Sequence, residues 1–147
     1  MACPFFAPSV PLAPPPNSAE SPMQRMPLGD AYAGICAADP SAPFEPSEPV
    51  LRRFCNCGYA RGLCSRFPSD HPADAVRFSI FEDQGRADIR IVFIVEQYHS
   101  PLDHGPLRYS NGAWIGDPPS EPLASQARAF IENYLSRKLP AMAAAQI

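Results

Sequence analysis

The sequence predicts an α+β fold with a small antiparallel sheet of about four strands and a C-terminal helix packed on one face. A Cys-rich helix–loop layer is expected before the sheet, and a Pro-rich, disordered tail at the N-terminus. Two patterns predict the sheet: residues 75–83 alternate in polarity, and residues 88–98 are apolar on both faces. A third predicts the helix, because apolar residues recur at helical spacing between residues 120 and 138.

The first two strands differ in their expected burial. In residues 75–83, Val76, Phe78 and Ile80 share one face, as in a strand with one buried side. Residues 88–98 carry apolar side chains on both faces, which is typical of a strand covered on both sides. This second strand is therefore expected to be central in the sheet.

A hairpin is expected to complete the sheet. Asn111-Gly112 separates the strand-like residues 107–110 from residues 113–115. This dipeptide favours the positive φ angles of a type I′ turn, which joins neighbouring antiparallel strands. The sheet is therefore predicted to be antiparallel.

Two helices are predicted. The C-terminal helix spans residues 120–138, and Pro140 is expected to end it because proline lacks the amide hydrogen. A shorter helix is expected to begin at Ser47, a good N-cap, and to end at Gly58 in a left-handed conformation. Cys55 would then lie on the buried side of its last turn.

The chain is divided into three parts by composition. Twelve of its 20 prolines fall in the first third, so residues 1–28 are predicted to form an extended tail. Residues 29–140 are predicted to be a single α+β domain with the cysteine cluster, and residues 141–147 a C-terminal tail. Phe5 and Phe6 are apolar residues of the first tail that are expected to dock on the folded part.

Charge and hydropathy exclude several kinds of partner. The net charge of −3 does not favour binding to nucleic acid or to an anionic membrane. No apolar run approaches the ~20 residues that span a bilayer, and the N-terminus lacks the charge pattern of a signal peptide. A cytoplasmic location is therefore expected, in which thiols stay reduced.

Four of the five cysteines fall within 29 positions, which favours a metal centre in a reducing compartment. The preferred ligands are Cys36, Cys55 and Cys64, with Cys57 as the candidate fourth and His71 as its substitute. An iron–sulfur cluster is favoured over zinc, because the spacing is uneven, arginines surround the cysteines and zinc knuckles are missing.

Other interpretations of the cysteines remain open. They could form a disulfide or a redox pair, for example Cys55 with Cys64. They could also be small apolar residues of the core. Cys3 is isolated in the predicted tail and is assigned no role.

A histidine-containing loop is predicted after the central strand. There His99 and His104 could bind a metal, with Asp103 orienting one of them. The alternative is an ordinary turn in which Asp103 bonds to its own backbone, and Pro101 and Gly105 support that interpretation.

The predicted function is that of a small metal-binding accessory protein with a redox, electron-transfer or structural role. The alternative is a metal-free interaction module that docks through its Pro-rich arm, and a protein partner is expected. A third hypothesis is a cysteine-dependent enzyme, with Cys55 or Cys64 as nucleophile and His99 or His104 as base. An enzyme is not favoured, and no catalytic residue is assigned.

Overall fold

The computed structural model describes residues 2–12, 31–84, 88–116 and 118–145, with side chains placed up to residue 136. It confirms the α+β class, because two antiparallel sheets and a C-terminal helix contribute to one apolar core. In chain order the elements are β1 (Phe6–Pro11), β2 (Tyr32–Cys36), α1 (Glu48–Val50), a π-helical segment (Leu51–Cys55), β3 (Ala75–Asp83), β4 (Asp88–Gln97), β5 (Ser100–Ser110), β6 (Ala113–Ile115) and α2 (Glu121–Ala145).

The larger sheet has the strand order β3–β4–β5–β6, and every pair is antiparallel, as predicted. β4 pairs on both sides, which confirms that it is a central strand. Its Ile91 and Phe93 are buried, and Phe93 lies opposite Phe78 of β3. Asn111 and Gly112 form the predicted tight turn between β5 and β6, with φ values of 52° and 83°.

The beginning of the chain differs from the predicted disordered tail. Within residues 2–12, β1 pairs with β2, and the Phe6 side chain is only 1% exposed. Ala2 forms a two-bond bridge with Val76 on β3. Prolines are tolerated in β1 because β2 pairs with only one of its edges, so the other edge needs no amide donors. Residues 13–28 of the predicted tail lie outside the described residues.

Helix α2 packs on the core through the predicted apolar stripe. Leu123, Ala127 and Ile131 are 0–5% exposed. Phe130 stacks on Phe78 of the larger sheet, with ring centroids 5.6 Å apart. The spacing of these residues therefore predicted the buried face of the helix correctly.

The end of α2 was not predicted correctly. The helix continues past Pro140 and includes most of residues 141–147, which were predicted to be a tail. A proline inside a helix costs about 3 kcal/mol, which the buried first half of α2 can offset.

Among the described residues, no helix combines the length and apolar character needed to cross a membrane.

The predicted short helix is present as α1 and the π-helical segment that follows it. Ser47 precedes α1, but its side chain makes no capping hydrogen bond. Gly58 has the expected left-handed backbone, with φ of 75°. A Cβ atom there would lie 2.8 Å from the Cβ atom of Ala75, so the close approach to β3 also requires glycine.

Asn56 fixes the π-helical segment to β2. Its side chain is 0% exposed, and its Oδ1 accepts a hydrogen bond from the Tyr32 N–H at 2.9 Å. Its Nδ2 donates to the carbonyl oxygens of Tyr32 at 3.0 Å and Leu51 at 2.8 Å. The side-chain amide thus pairs with Tyr32 as a neighbouring strand would.

The histidine loop predicted after the central strand is instead a two-residue turn, Tyr98-His99, followed by β5. Both turn residues have positive φ, 51° and 62°, a conformation that favours asparagine and glycine. The Asp74 carboxylate accepts the Tyr98 N–H at 2.9 Å, and the Tyr59 hydroxyl accepts the His99 N–H at 3.0 Å. These bonds from distant segments offset the cost of the turn.

Two buried carboxylates support this turn, Asp74 and Glu96. Arg61 binds Asp74 at 2.7 Å, and Arg77 binds Glu96 at 2.6 Å. Burial by itself would raise the pKa of Asp74, but the Tyr98 N–H and Arg61 hold that pKa below its usual value. Asp74 is therefore ionised in the folded protein.

Replacing Asp74→Asn should lower the free energy of unfolding at neutral pH by about 2 kcal/mol, because Arg61 loses its partner. The pKa of Asp74 is depressed on folding, so its contribution is present above the unfolded-state pKa near ~3.9 and lost as pH falls through the folded-state value. Urea denaturation at several acidic pH values should therefore show a weaker pH dependence in the variant. The exposed replacement Asp70→Asn is the control, and equal effects of the two would contradict this role.

Replacing Asn56→Asp should lower the free energy of unfolding by about 2–4 kcal/mol. The carboxylate has the shape of the amide but cannot donate to the Tyr32 and Leu51 carbonyls. Chemical denaturation measures the change. The matched control is Asn111→Asp, because aspartate is accepted in a type I′ turn. If Asn56→Asp lowers the free energy of unfolding by less than about 0.5 kcal/mol, the side-chain amide is not what holds the π-helical segment to β2.

Candidate functional site

Cys3 is held against the end of the π-helical segment. Its N–H donates to the carbonyl of Cys55 at 3.0 Å, and its own carbonyl accepts the Phe6 N–H at 3.1 Å. The buried Gln126 amide of α2 donates to the carbonyls of Cys3 and Phe6, at 2.7 and 2.8 Å. Two elements far apart in sequence therefore fix the position of Cys3.

Cys36 and Cys64 come from two further segments. Cys36 ends β2 opposite Phe6, and it exchanges two backbone hydrogen bonds with Phe44 at 2.9 and 3.3 Å. Cys64 lies in a turn, where its N–H donates to the carbonyl of Ala60 at 2.8 Å. The strand and the turn each hold their cysteine through the main chain, leaving the thiols available for other contacts.

The name thiol cluster is given to the two cysteines whose pKa is raised by burial and by neighbouring thiols, and to the cysteines that add to the increase: Cys3, Cys36, Cys55 and Cys64. Burial raises the pKa of Cys3 to about 12, opposed by a backbone hydrogen bond from Phe5, with smaller increases from Cys36 and Cys64. Burial also raises the pKa of Cys55 to about 12, and Cys3, Cys36 and Cys64 add to the increase. Because the interaction between charges weakens with distance, Cys3, Cys36 and Cys64 lie near the Cys55 thiol.

Cys57 is oriented differently from the thiol cluster. Its thiol donates to the carbonyl of Arg52 at 3.2 Å, back along the helical segment. Burial raises the pKa of Cys57 as well, but Cys57 does not contribute to the raised pKa of Cys3 or Cys55. Cys57 was predicted as the candidate fourth ligand beside the preferred three, and in the structure its thiol is turned back to the helical segment that precedes it.

Two of the three histidines make side-chain contacts within the fold, and the third is exposed. The His99 ring stacks on Tyr59 with centroids 4.2 Å apart, and His104 is exposed on β5. Nδ1 of His71 accepts the N–H of Ala73 at 3.1 Å. The stacking of His99 joins its turn to Tyr59, which lies 40 residues earlier in the chain.

Asp103 takes the role of an ordinary backbone partner. Its Oδ1 accepts the N–H of His104 at 2.9 Å. The bond satisfies one amide along a strand whose neighbour β6 pairs only with residues 108–110. Such bonds protect an exposed strand edge from pairing with other chains.

The predicted metal-binding function is contradicted by the placement of these side chains. In the part of the chain that the structure describes, no group of three or more Cys, His, Asp or Glu residues is positioned to hold a metal ion. The spacing of cysteines in sequence indicated proximity, but a metal site also requires donor atoms that converge on one point. The predicted role as a metal-binding accessory protein is therefore wrong.

An apolar groove of about 330 Å³ lies beside the thiol cluster. Cys64 forms part of its wall, and the neighbouring Leu63 is 70% exposed. The Arg66 guanidinium lies over the Phe44 ring, 3.7 Å from the ring centroid. The other lining residues are Pro46, Ser47, Val50, Phe54 and Ser65.

The thiols of the cluster differ in what they can react with. Cys3 and Cys55, with pKa values of about 12, are protonated thiols at neutral pH and poor nucleophiles. Cys36 and Cys64 are both half-buried, and Cys64 is the one that forms part of the wall of the groove. The arrangement therefore places one cysteine of the cluster at the groove.

Cys3 is the site residue that the sequence interpretation missed. Its isolation among prolines suggested a tail, although the adjacent Phe5 and Phe6 were expected to dock. Docking of Phe6 is observed, and it carries Cys3 with it. Two adjacent aromatic residues in a Pro-rich stretch were the one signal that this part of the chain is folded.

Comparison with known proteins does not assign the chain to a family. No protein-family model, curated protein or solved structure matches it. The function is therefore inferred from the thiol cluster and the groove.

Proposed function

We propose that the protein is a thiol–disulfide redox protein whose thiol cluster is oxidised to an internal disulfide. One observation supports the proposal above others: Cys3, Cys36 and Cys64 come from separate segments, and each adds to the raised pKa of the buried Cys55 thiol. Disulfides form only between cysteines whose Cα atoms lie within about 7 Å. Bringing distant thiols together is therefore the structural condition that this reaction requires.

The different environments of the thiols suggest an order of reaction. Cys64 reacts first, because it is the cysteine of the cluster that lies in the wall of the groove, where an external molecule can bind. Cys3 and Cys55 are protonated and shielded until a neighbour has reacted. The second thiol then comes from within the cluster.

The proposed oxidant is an external disulfide. The Cys64 thiolate attacks one of its sulfur atoms, so a mixed disulfide forms and the other sulfur leaves as a thiolate, which takes a proton. A second thiol of the cluster gives its proton to water and attacks Cys64 Sγ, which releases the remaining external thiol. In total, two protein thiols are oxidised and one external disulfide is reduced to two thiols.

Oxidation should also change the stability of the fold. A disulfide within the cluster would join segments that are held together by main-chain hydrogen bonds and apolar contacts. Such a cross-link typically adds about 2–4 kcal/mol to the free energy of unfolding. The free energy of unfolding would thus be higher for the oxidised protein than for the reduced protein.

Treating the reduced protein with oxidised glutathione should form one internal disulfide. Of the five cysteines, three should then remain available for alkylation after denaturation. Intact-protein mass spectrometry over time measures this, and Cys64→Ser should slow the reaction at least about tenfold by removing the cysteine that lines the groove. Cys57→Ser is the matched control and should react as the unaltered protein does.

Two results would contradict the proposal. One is a protein that keeps all five thiols after prolonged exposure, or that uses Cys57 in its disulfide. The other is a set of thiols that react only after a chelator is added, since the cluster would then be protected by a bound ion.

A further inference from the structure

We infer that the groove beside Cys64 selects disulfides whose cysteine is flanked by an apolar side chain and a carboxylate. This inference rests on the proposed redox function, since it names the class of substrate that reaches Cys64. The occupant is a short cysteine-bearing segment of another polypeptide. Its recognition follows from the composition, the size and the charge of the groove.

The composition of the groove favours an apolar side chain. Phe44, Val50, Phe54 and Leu63 line it. Leu63 is 70% exposed, so an occupant that covers it removes a leucine side chain from water. An apolar residue next to the reacting cysteine can make that contact while its sulfur faces Cys64.

The size of the groove limits the occupant to a few side chains. Its volume of about 330 Å³ is at the lower end of the range found for small-molecule pockets. A segment of two or three extended residues fits this space. The disulfide of such a segment is delivered next to Cys64, because this residue belongs to the same wall.

The charge of the groove favours a carboxylate on the occupant. Arg66 is the charged residue among those that line it. None of the ion pairs of the described residues involves Arg66. The nearby Asp39 bonds to the hydroxyl of Ser41 at 2.7 Å, which lowers the pKa of that carboxyl, and Arg66 adds to the lowering without forming an ion pair with it. The Arg66 guanidinium, held over the Phe44 ring, is therefore available to a carboxylate from outside.

Two short peptides test this selection directly. Each carries its cysteine as a 2-thiopyridyl disulfide: acetyl-Glu-Leu-Cys amide and acetyl-Lys-Ser-Cys amide. Absorbance of the released thiopyridone gives the rate of attack by the reduced protein. The acidic apolar peptide should react about tenfold faster or more, because burying part of a leucine and pairing one charge each contribute.

Substitutions of groove residues test whether the groove causes the preference for one peptide. Leu63→Ser should remove most of the preference for the leucine peptide, whereas Leu102→Ser, a matched change of an exposed leucine on β5, should leave it unchanged. Arg66→Gln should reduce the advantage of the glutamate. Equal rates for both peptides, or equal effects at Leu63 and Leu102, would overturn the inference.

The same experiment separates failure of the inference from failure of the proposed function. If both peptides react at one rate and mass spectrometry still finds an internal disulfide, the selection is wrong and the redox function stands. If neither peptide produces an internal disulfide, the proposed function itself is wrong, and the inference falls with it.

Discussion

The fold depends on the anchoring of the N-terminal segment by helix α2. The Gln126 side chain is 0% exposed, and its Nε2 donates to two main-chain carbonyls, those of Cys3 and Phe6. The Cys3 carbonyl also accepts the Phe6 N–H, so the amide adds a second bond there. Each such buried hydrogen bond contributes about 0.5–1.5 kcal/mol, so the amide favours this one arrangement. Once Phe6 is buried, β1 can pair with β2, and Cys3 reaches the end of the π-helical segment.

Sequence patterns among neighbouring residues predicted the strands β3 and β4. Alternation identified β3, and apolar side chains on both faces identified the central strand β4. The Tyr98-His99 turn escaped prediction because its stability comes from Asp74 and Tyr59, which lie 24 and 40 residues away. A turn of this kind has no Asn-Gly signature, and its partners become visible only in the folded chain.

The site residues remain a prediction. Clustered spacing singled out Cys36, Cys55 and Cys64, and in the structure Cys36 and Cys64 both add to the increase in pKa that burial causes at Cys55. Cys57 was the candidate fourth, and its thiol bonds to the helical segment that precedes it. Cys3 was missed because its position depends on Gln126, 123 residues away. The prediction of metal binding failed because donor direction decides whether ligands converge.

The convergence of the thiols can be measured with dibromobimane, which becomes fluorescent when it joins two neighbouring thiols. Digestion and mass spectrometry of the reduced, folded protein then identify the joined cysteines. We expect Cys3 to be linked to Cys36 or Cys64, with Cys57 left out of every link. A protein in which Cys3 is labelled without a partner, or is linked to Cys57, would contradict the thiol cluster and the redox function based on it.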